Sequence, residues 1–436
     1  MHKILLSLFA TGLLLYGCNG IGPVNNALFE TPPYTKYIRS LEQANLDETL
    51  MAKAWMRAGE KALNDSVIVT LPFSESGYFV ASEPDARSYR FDAHEGQILT
   101  VTGNVTANEN ARVFLDVFTW KNQEWVAVAH GDSTFNLTYE FTDHFQQCLV
   151  RIQPELLVTA YYTISLSLTP VLINPVKGAS NKSIGSFYGD PRDGGKRSHE
   201  GVDIFAKKGT PVIAPTDGYI TRVGTSKLGG KVVWMKDQKR GHAYYFAHLD
   251  SQAVAAGTKI KQGELIGTVG NTGNAKYTPS HLHFGIYQHH SKDPINYIRT
   301  LQAIGNVPPW DTTMLQPDFK VNAKSLSLRS GPGDKYLKRV ILKKDTYVKV
   351  IGQSADWYRV RLPDDRQGFV PKHKISPIHK GKRERFKREA QLLDEIHPQA
   401  VPIAQIPPST PVEVLALFEN FLYVRTSDGK FGWVMI

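Results

Sequence analysis

The five residues His199-Glu200-Gly201-Val202-Asp203 combine side chains that bind metals with a spacing that limits the local structure. They begin like the helical zinc motif H-E-x-x-H, but an aspartate stands where the second histidine would be. Because Gly201 and Val202 are poor helix formers, we predict an extended segment. Residues i and i+4 then lie on one face, which places His199 beside Asp203 and turns Glu200 to the opposite face. Alone, this stretch also fits a polar surface strand.

Two further segments carry histidines at the ends of predicted strands. In SHLHFGIY, polar and apolar residues alternate, so His281 and His283 share a face, and in AYYFAHLD an aromatic strand leads to His248. A catalytic zinc site uses imidazole nitrogens and carboxylate oxygens, typically three protein ligands and a water. With His199 and Asp203, these segments offer more candidates than such a site needs, which leaves a histidine for proton transfer. We therefore favour a shared metal site over unrelated surface histidines.

This part of the chain resembles the lysostaphin/LytM-type zinc metallopeptidases, which are peptidoglycan endopeptidases with a compact antiparallel β core. The resemblance covers about residues 180–298 and rests on five stretches in order: SFYGDPRDGGKRSHEGVDIFA, GTPVIAPTDGYI, YYFAHLD, GTKIKQGELIGTVGNTGN and SHLHFGIY. One departure is the loop NTGNAKYTPSHLHF, which carries a few extra residues before the H-x-H strand. Because such loops shape a substrate groove, the sequence does not determine which peptide is preferred.

The resemblance also implies roles for individual residues. One Zn²⁺ per chain would be bound by His199, Asp203 and His283. His248 and His281 match the two catalytic histidines that do not bind the metal. Arg197, two residues before the first ligand, also fits the family pattern.

The implied chemistry is hydrolysis of a peptide bond by water, without an acyl-enzyme. Zinc lowers the pKa of its water to about 7 and polarises the scissile carbonyl. His248 or His281 would act as general base and then as proton donor, or stabilise the oxyanion, and the sequence does not say which does which. We assign no role to Glu200. Three further histidines are expected to be solvated turn residues: His242, His289 and His290.

The N-terminus is typical of an exported protein. Residues 1–17 join a basic start to an apolar stretch too short for a comfortable membrane span, which predicts a lipoprotein signal peptide. Leu-Tyr-Gly-Cys resembles a lipobox and implies cleavage before Cys18 and acylation of its thiol. An ordinary secretory signal is the alternative. Cys148, then the remaining cysteine, cannot form an intramolecular disulfide and is expected in a buried strand.

The 436 residues, 42% of them hydrophobic, are enough for several domains. Residues 18–65 show a helical pattern and are expected to form a lipid-anchored helical tether. Residues 66–172 contain short β-like runs separated by Gly, Asn and Asp, which predict a β-sandwich that faintly resembles pre-peptidase domains. Its Trp120 and Trp125 are expected mainly in core packing. The peptidase domain is expected at residues 173–300.

The C-terminal region contains an internal repeat. TYVKVIGQSADWYRVRLPDDRQGFV (346–370) aligns without gaps on TPVEVLALFENFLYVRTSDGKFGWV (410–434). Upstream of the first copy, SLSLRSGPG resembles the first strand of bacterial SH3-like domains, whereas the second copy lacks this signature. We expect small SH3-like β-barrels at 316–377 and, more degenerate, at 385–436, separated by the charged segment HKGKRERFKREAQ. In the family such modules bind cell-wall peptides, and a spacer role is the alternative.

The net charge of +10 is unevenly distributed, because the basic excess lies in the catalytic and C-terminal half. A basic surface steers association with anionic polymers. Peptidoglycan qualifies through its stem-peptide carboxylates, and no motif supports nucleic-acid binding.

We therefore expect a mainly β, exported lipoprotein anchored in the cell envelope, with the outer membrane facing the periplasm favoured. Its predicted function is zinc-dependent hydrolysis of peptidoglycan cross-links or stem peptides in cell-wall remodelling. The alternatives are a catalytically silent wall-binding or hydrolase-activating lipoprotein and a protease of glycine-rich proteins. The bond cleaved, a need for a protein activator and the oligomeric state stay open.

Overall fold

A computed structural model describes most of the chain, in these ranges: 31–64, 66–107, 111–131, 135–301, 307–314, 317–397 and 400–436. These residues are mostly β-strand, which confirms the predicted fold class. The predicted signal peptide and Cys18 lie outside the described residues. Among the residues that are described, no helix is both long and apolar enough to cross a membrane.

Helices α1 (Pro33–Gln43) and α2 (Leu50–Asn64) form where the helical pattern was recognised. A proline in the first turn suits the start of α1, because its fixed φ is already helical. The buried indole of Trp55 on α2 donates a hydrogen bond of 2.6 Å to the carbonyl oxygen of Pro154. Over these residues the expected tether is therefore a helix pair packed on the next domain.

The next domain is a β-sandwich. Its strands are β1 (Val67–Ile68), β2 (Phe73–Phe79), β3 (Arg87–His94), β4 (Gln97–Ala107), β5 (Val113–Lys121), β6 (Glu124–Gly131), β7 (Leu137–Glu140), β8 (Phe145–Pro154) and β9 (Ala160–Pro170). One sheet has the order β1-β3-β8-β5-β6, and the facing sheet contains β2-β9-β4-β7. Apolar residues from both inner faces form the core, and Cys148 is buried in β8 as predicted.

Trp120 and Trp125 are not core residues, so that expectation is wrong. They face each other across β5 and β6, with ring centroids 5.0 Å apart, and Trp120 is 42% exposed. The two tryptophans are left uncovered because of how the strands and helices pack. β6 is an edge strand, and α2 packs farther along the same sheet, where Arg151 reaches the carbonyl oxygen of Gly59.

The expected peptidase domain, residues 173–300, is built on one antiparallel sheet. Its strands are β10 (Ile184–Ser186), β11 (Pro191–Arg192), β12 (Arg197–Ser198), β13 (Val202–Phe205), β14 (Pro211–Ile213), β15 (Gly218–Ser226), β16 (Gly230–Lys236), β17 (Ala243–Gln252), β18 (Lys259–Ile260), β19 (Leu265–Val269), β20 (His281–Tyr287) and β21 (Ser291–Lys292), followed by helix α3 (Ile295–Ile298). The main order is β10-β13-β20-β17-β16-β15-β18, while β11 and β12 form a separate hairpin. Apolar side chains from the central strands form the core.

The sandwich contacts the peptidase domain through Glu95, in the turn between β3 and β4. Lys292 Nζ lies 2.9 Å from both carboxylate oxygens, and His242 Nε2 lies 3.7 Å from one of them. Burial raises the pKa of Glu95, but hydrogen bonds from His242 and Lys292 outweigh it and lower this pKa to about 2. His242 is itself buried. The expectation of a solvated turn residue is wrong for it, because the sandwich covers this turn.

The first barrel continues a sheet of the sandwich. Its strands are β22 (Asp318–Val321), β23 (Ser325–Arg329), β24 (Lys338–Lys343), β25 (Tyr347–Ser354), β26 (Trp357–Arg361), β27 (Gln367–Pro371) and β28 (Ile375–Pro377). β25 pairs with β2 of the sandwich, Gly352 opposite Gly77. Beside this pairing, the buried carboxylate of Glu75 lies 3.3 Å from the buried guanidinium of Arg359.

The second barrel repeats the first. Its strands are β29 (Lys382–Arg385), β30 (Ala390–Leu393), β31 (Pro402–Ile406), β32 (Pro411–Phe418), β33 (Phe421–Arg425) and β34 (Phe431–Met435). β32–β34 begin and end at the positions aligned with β25–β27. Both copies have an irregular register at the same place, after Val350 in one and after Val414 in the other.

The expected start of the second barrel needs correction. Its sheet begins at Lys382 rather than at residue 385, because β29 pairs with β32. The charged segment therefore contributes an edge strand, where charged side chains remain in water, and is not only a spacer. The copy without the SH3-like signature still forms the corresponding strand, since Leu393 pairs with Trp433 as Arg329 pairs with Phe369.

Candidate metal centre and active-site groove

Strands β13, β20 and β17 lie side by side and carry most of the candidate residues. Asp203 pairs with His283 and Phe205 with His281 in the antiparallel register of β13 and β20. On the other side of β20, Ala247 pairs with His283. Directly opposed residues have Cβ atoms about 4.5–5.5 Å apart, so this register alone brings Asp203 to His283.

His199 reaches the same point through a bend, not along a continuous strand. β12 ends before it, and β13 begins after Gly201, so the predicted extended segment is interrupted. The Gly201 backbone passes so close to β20 that a Cβ would lie 2.5 Å from the carbonyl oxygen of Phe284 and 2.9 Å from Cε1 of His283. Glycine is required here because a side chain would displace the His283 ring.

Three candidate ligands converge on one point. His199 Nε2 lies 3.0 Å from Asp203 Oδ1 and 2.8 Å from His283 Nδ1, and His283 Nδ1 lies 3.1 Å from Asp203 Oδ1. Two imidazole nitrogens and one carboxylate oxygen are a donor set of catalytic zinc sites that keep one position open. The structure thus places together the three residues that the sequence suggested as ligands.

The hydrogen bonding of His199 suits a cation. Its Nδ1 lies 2.8 Å from the carbonyl oxygen of Phe187. Since a carbonyl only accepts, Nδ1 of the neutral ring carries the proton and Nε2 presents its lone pair. That lone pair faces the Asp203 carboxylate and the His283 ring nitrogen, and electron-rich atoms at these distances repel unless positive charge lies between them. The group therefore fits a divalent metal ion.

The second carboxylate oxygen of Asp203 is held by Arg192, whose Nη2 lies 3.0 Å from Oδ2. Burial raises the pKa of Asp203, but the imidazole rings of His199 and His283 beside the carboxylate outweigh burial and hold this pKa well below its ordinary value. Asp203 is therefore ionised, with Oδ2 anchored to Arg192 and Oδ1 directed at the histidines.

Sequence reasoning singled out Arg197 and missed Arg192. The two residues pair across the β11–β12 hairpin, yet Arg197 binds Asp193 at 2.6 Å on the exposed rim. The stretch PRDGGKR held the missing signal, because paired glycines between two short runs favour a hairpin. A hairpin here puts both arginines beside His199.

A β-bulge directs His248 into the site. The register between β16 and β17 shifts between Lys231 and Val233, and His248 has φ 62°. Such backbone is uncommon outside glycine, and bulges re-aim side chains next to active sites. Nδ1 of His248 lies 2.8 Å from the carbonyl oxygen of Thr272, so Nε2 is left without a proton in the neutral ring. Burial lowers the pKa of His248 to about 4, which keeps the ring neutral at pH 7.

His281 is held in a similar way. Its Nδ1 lies 2.8 Å from the carbonyl oxygen of Pro279, and its Nε2 lies 3.9 Å from Asp203 Oδ1. The centroid of the His281 ring lies 5.0 Å from that of His248 and 5.2 Å from that of Phe205. In His248 and His281, the two predicted non-ligand histidines, Nδ1 is therefore held by a backbone carbonyl oxygen. Nε2 of each ring is left available in the groove that the three candidate ligands also line.

These side chains line an open groove of about 720 Å³. Aromatic and apolar walls come from residues such as Tyr245, Tyr287 and Leu228, and the loop before β20 supplies Asn274. The Asn274 backbone N–H donates to the carbonyl oxygen of Leu228 at 3.0 Å, which ties this loop to the β15–β16 turn. Glu200 sits on the rim, 3.4 Å from the Tyr287 hydroxyl. Within the described part of the chain, every lining residue belongs to the peptidase domain.

Comparison with known protein families agrees with this geometry. Residues 197–297 match Peptidase family M23. Residues 322–377 match the bacterial SH3 domain. The first match contains all five candidate residues, four histidines and one aspartate, and the second covers most of the first barrel.

The similarity to individual proteins lies in the same region. The L-Ala–D-Glu endopeptidase of Bacillus subtilis is 33% identical over 138 residues, which are 29% of this chain and 42% of that protein. The glycyl-glycine endopeptidase ALE-1 of Staphylococcus capitis is 33% identical over 109 residues, 24% of this chain and 30% of that protein. The chain thus spans less than half the length of these curated relatives.

Among solved structures, the catalytic domain of the antimicrobial peptidase lysostaphin from Staphylococcus simulans is 33% identical, with a TM-score of 0.24. The aligned region covers 26% of this chain and 87% of the lysostaphin chain. By the family matches alone, residues 197–297 are a peptidase domain of family M23, the lysostaphin/LytM type, followed at residues 322–377 by a bacterial SH3 domain.

Proposed function

We propose that this protein is a zinc-dependent endopeptidase that cleaves peptide cross-links or stem peptides of peptidoglycan. The observation that carries the proposal is the convergence of His199, Asp203 and His283 next to two further histidines in an open groove. Bound at the three converging atoms, zinc would supply a Lewis acid and a water with a pKa of about 7. Asp203, kept ionised, would balance part of the positive charge.

His248 and His281 would handle protons. Because Nδ1 of each ring lies within hydrogen-bond distance of a backbone carbonyl, the neutral ring can accept a proton only at Nε2. An accepted proton can then pass to the leaving amine. The protonated ring can instead donate a hydrogen bond from Nε2 to a developing oxyanion. Both rings have a fixed orientation, which is what such steps require.

Peptidoglycan as the substrate is supported by the relatives and by charge. Their names include an L-Ala–D-Glu endopeptidase and, from Vibrio cholerae, a peptidoglycan DD-endopeptidase, 34% identical over 94 residues. We further propose that the SH3 barrels bind wall peptides and that the basic half of the chain favours this anionic polymer. The open groove favours a peptidase that needs no activator to uncover the site.

We also propose that the protein is exported and held at a membrane of the cell envelope through lipid on Cys18. The proposal rests on the basic start, short apolar stretch and lipobox-like Leu-Tyr-Gly-Cys of the N-terminus. Lipid anchoring would keep the peptidase beside the wall layer it cleaves.

Digestion of purified peptidoglycan tests the proposed function. We expect the zinc-loaded protein to release fragments with new amino and carboxyl ends, identified by mass spectrometry, and His283→Ala to release none. A protein that binds the wall without releasing ends would support the silent wall-binding alternative. Cleavage of glycine-rich proteins but not of peptidoglycan would support the protease alternative.

A further inference from the structure

A second cavity lies where helix α2, the sandwich and the first barrel meet. It encloses about 230 Å³ and shares no lining residue with the groove of the peptidase domain. We call it the junction cavity and define it by Ala58 on α2, Ser88 on the sandwich, and Arg361 and Gln367 on the barrel. The cavity exists only because three parts of the chain are packed together.

Small side chains on α2 create the space. Ala54, Ala58 and Ala62 follow each other at a spacing of four residues, so they lie on one face of the helix. Their methyl groups give the cavity an apolar wall. Arg57 and Lys61 lie on either side of that face; Lys61 is paired with Asp365, so Arg57 supplies the uncompensated positive charge. The combination fits a ligand with small apolar side chains and a negative group.

Hydrogen-bond donors of the junction cavity are left without partners. Gln367 uses its side-chain oxygen to accept from Arg359 at 2.9 Å, so its NH₂ group is free to donate. Among the described residues, neither this NH₂ group nor the exposed guanidinium of Arg57 has a hydrogen-bond or ion-pair partner.

The carboxylates of the junction cavity, in contrast, are already engaged. Asp365 is paired with Lys61 at 3.0 Å, and Asp85 is paired with Arg361 and Arg87. The uncommitted groups are therefore donors, and they favour a ligand that accepts.

We propose that the junction cavity binds the free C-terminal carboxylate of a short peptide with small side chains. An arginine matches a carboxylate with two parallel hydrogen bonds, and the Gln367 amide would add a third donor. The volume lies below the roughly 300 Å³ at which drug-sized pockets begin, so it suits about two small residues. This inference rests on the proposed function, since stem peptides supply such carboxylate ends.

The position of the junction cavity gives the binding a consequence. A peptide end held there contacts the α2 helix, the sandwich and the barrel at once. The barrel is joined to the sandwich by the β2–β25 pairing, and the sandwich contacts the peptidase domain through Glu95. Holding one strand of the wall in this way raises the local concentration of its neighbours at the groove.

Titration calorimetry of the full chain with D-alanyl-D-alanine tests the proposal. We expect Arg57→Gln to weaken binding by at least about tenfold, because a charge-assisted hydrogen bond is lost. Ala58→Leu should abolish binding by filling the space. The matched control is Arg39→Gln, the same change at an exposed position of α1 outside the junction cavity, which should bind as the wild type does. Circular dichroism of each variant checks folding.

Three ligands separate the outcomes. The dipeptide should bind, whereas its C-terminal amide and free acetate should bind at least about tenfold more weakly. Equal binding of the amide, equal binding of acetate, no binding of the dipeptide, or unchanged binding by both cavity variants would each overturn the proposal. Hydrolysis of a short soluble peptide should be the same for wild type and Arg57→Gln. Failure of the wild type to hydrolyse peptidoglycan would count against the proposed function instead, whatever the dipeptide does.

Discussion

Replacing His281 and His283 separately by alanine should give proteins that differ in metal content. The residues share one face of β20, but their ring nitrogens are placed differently. His283 Nδ1 lies 2.8 Å from His199 Nε2 and 3.1 Å from Asp203 Oδ1. His281 Nε2 lies 3.9 Å from Asp203 Oδ1 and outside the three-atom group.

The expected magnitudes follow from these distances. His283→Ala leaves zinc with one imidazole and one carboxylate. Loss of a residue that only orients a metal ligand lowers the affinity for the metal by about 10–100-fold. Loss of the ligand itself should therefore lower the affinity for zinc by more than about 100-fold. His281→Ala should retain close to one zinc per chain. Its rate should fall by about 10²–10⁴-fold, the usual contribution of a general acid–base group.

Elemental analysis of dialysed protein, with hydrolysis of a soluble peptide measured on the same samples, gives both quantities. His289→Ala is a matched control, because His289 is exposed just after β20 and should lose neither zinc nor activity. Thermal unfolding of each variant shows whether the fold is retained.

Two results would refute the reasoning. Zinc lost from the His281 variant and kept by the His283 variant would reverse the ligand assignment. A wild type that binds no zinc after loading and dialysis would mean that the converging residues form only a polar cluster.

Three other perturbations have defined outcomes. Arg192→Gln should weaken zinc binding by about 10–100-fold, because it releases Asp203 Oδ2, whereas Arg197→Gln should leave zinc binding unchanged. Competition for the metal with a chelating dye measures both affinities. Equal affinities of the two variants would contradict the anchoring role of Arg192. Glu75→Gln should lower the free energy of unfolding by about 3–5 kcal/mol, because Arg359 is left charged and buried without its carboxylate partner. Denaturant unfolding measures this loss. An unchanged midpoint would show that the Glu75–Arg359 pair does not hold the barrel to the sandwich. Cys18→Ser should move the protein from the membrane to the soluble fraction with its zinc and its activity unchanged, and continued membrane retention would exclude the lipid anchor.

The sequence by itself determined the elements and the chemistry of the candidate site. Alternation of polar and apolar residues in SHLHFGIY placed His281 and His283 on one face, because side chains in a strand repeat every second residue. The gapless alignment of the two C-terminal copies predicted corresponding strands, and β25–β27 and β32–β34 follow it to the residue. Both inferences depend only on local spacing, which a linear sequence records directly.

Contacts between distant segments were decided only by the tertiary structure. The Asp203–Arg192 bond depends on how the β11–β12 hairpin folds against β13, and the orientation of His248 depends on a bulge opposite β16. His242 became buried and Trp120 exposed because of where neighbouring domains pack. The pairing of β2 with β25 likewise joins strands far apart in the chain. Such contacts are selected by shape and by the burial of polar groups in three dimensions, and the periodicity of either segment carries no record of its partner.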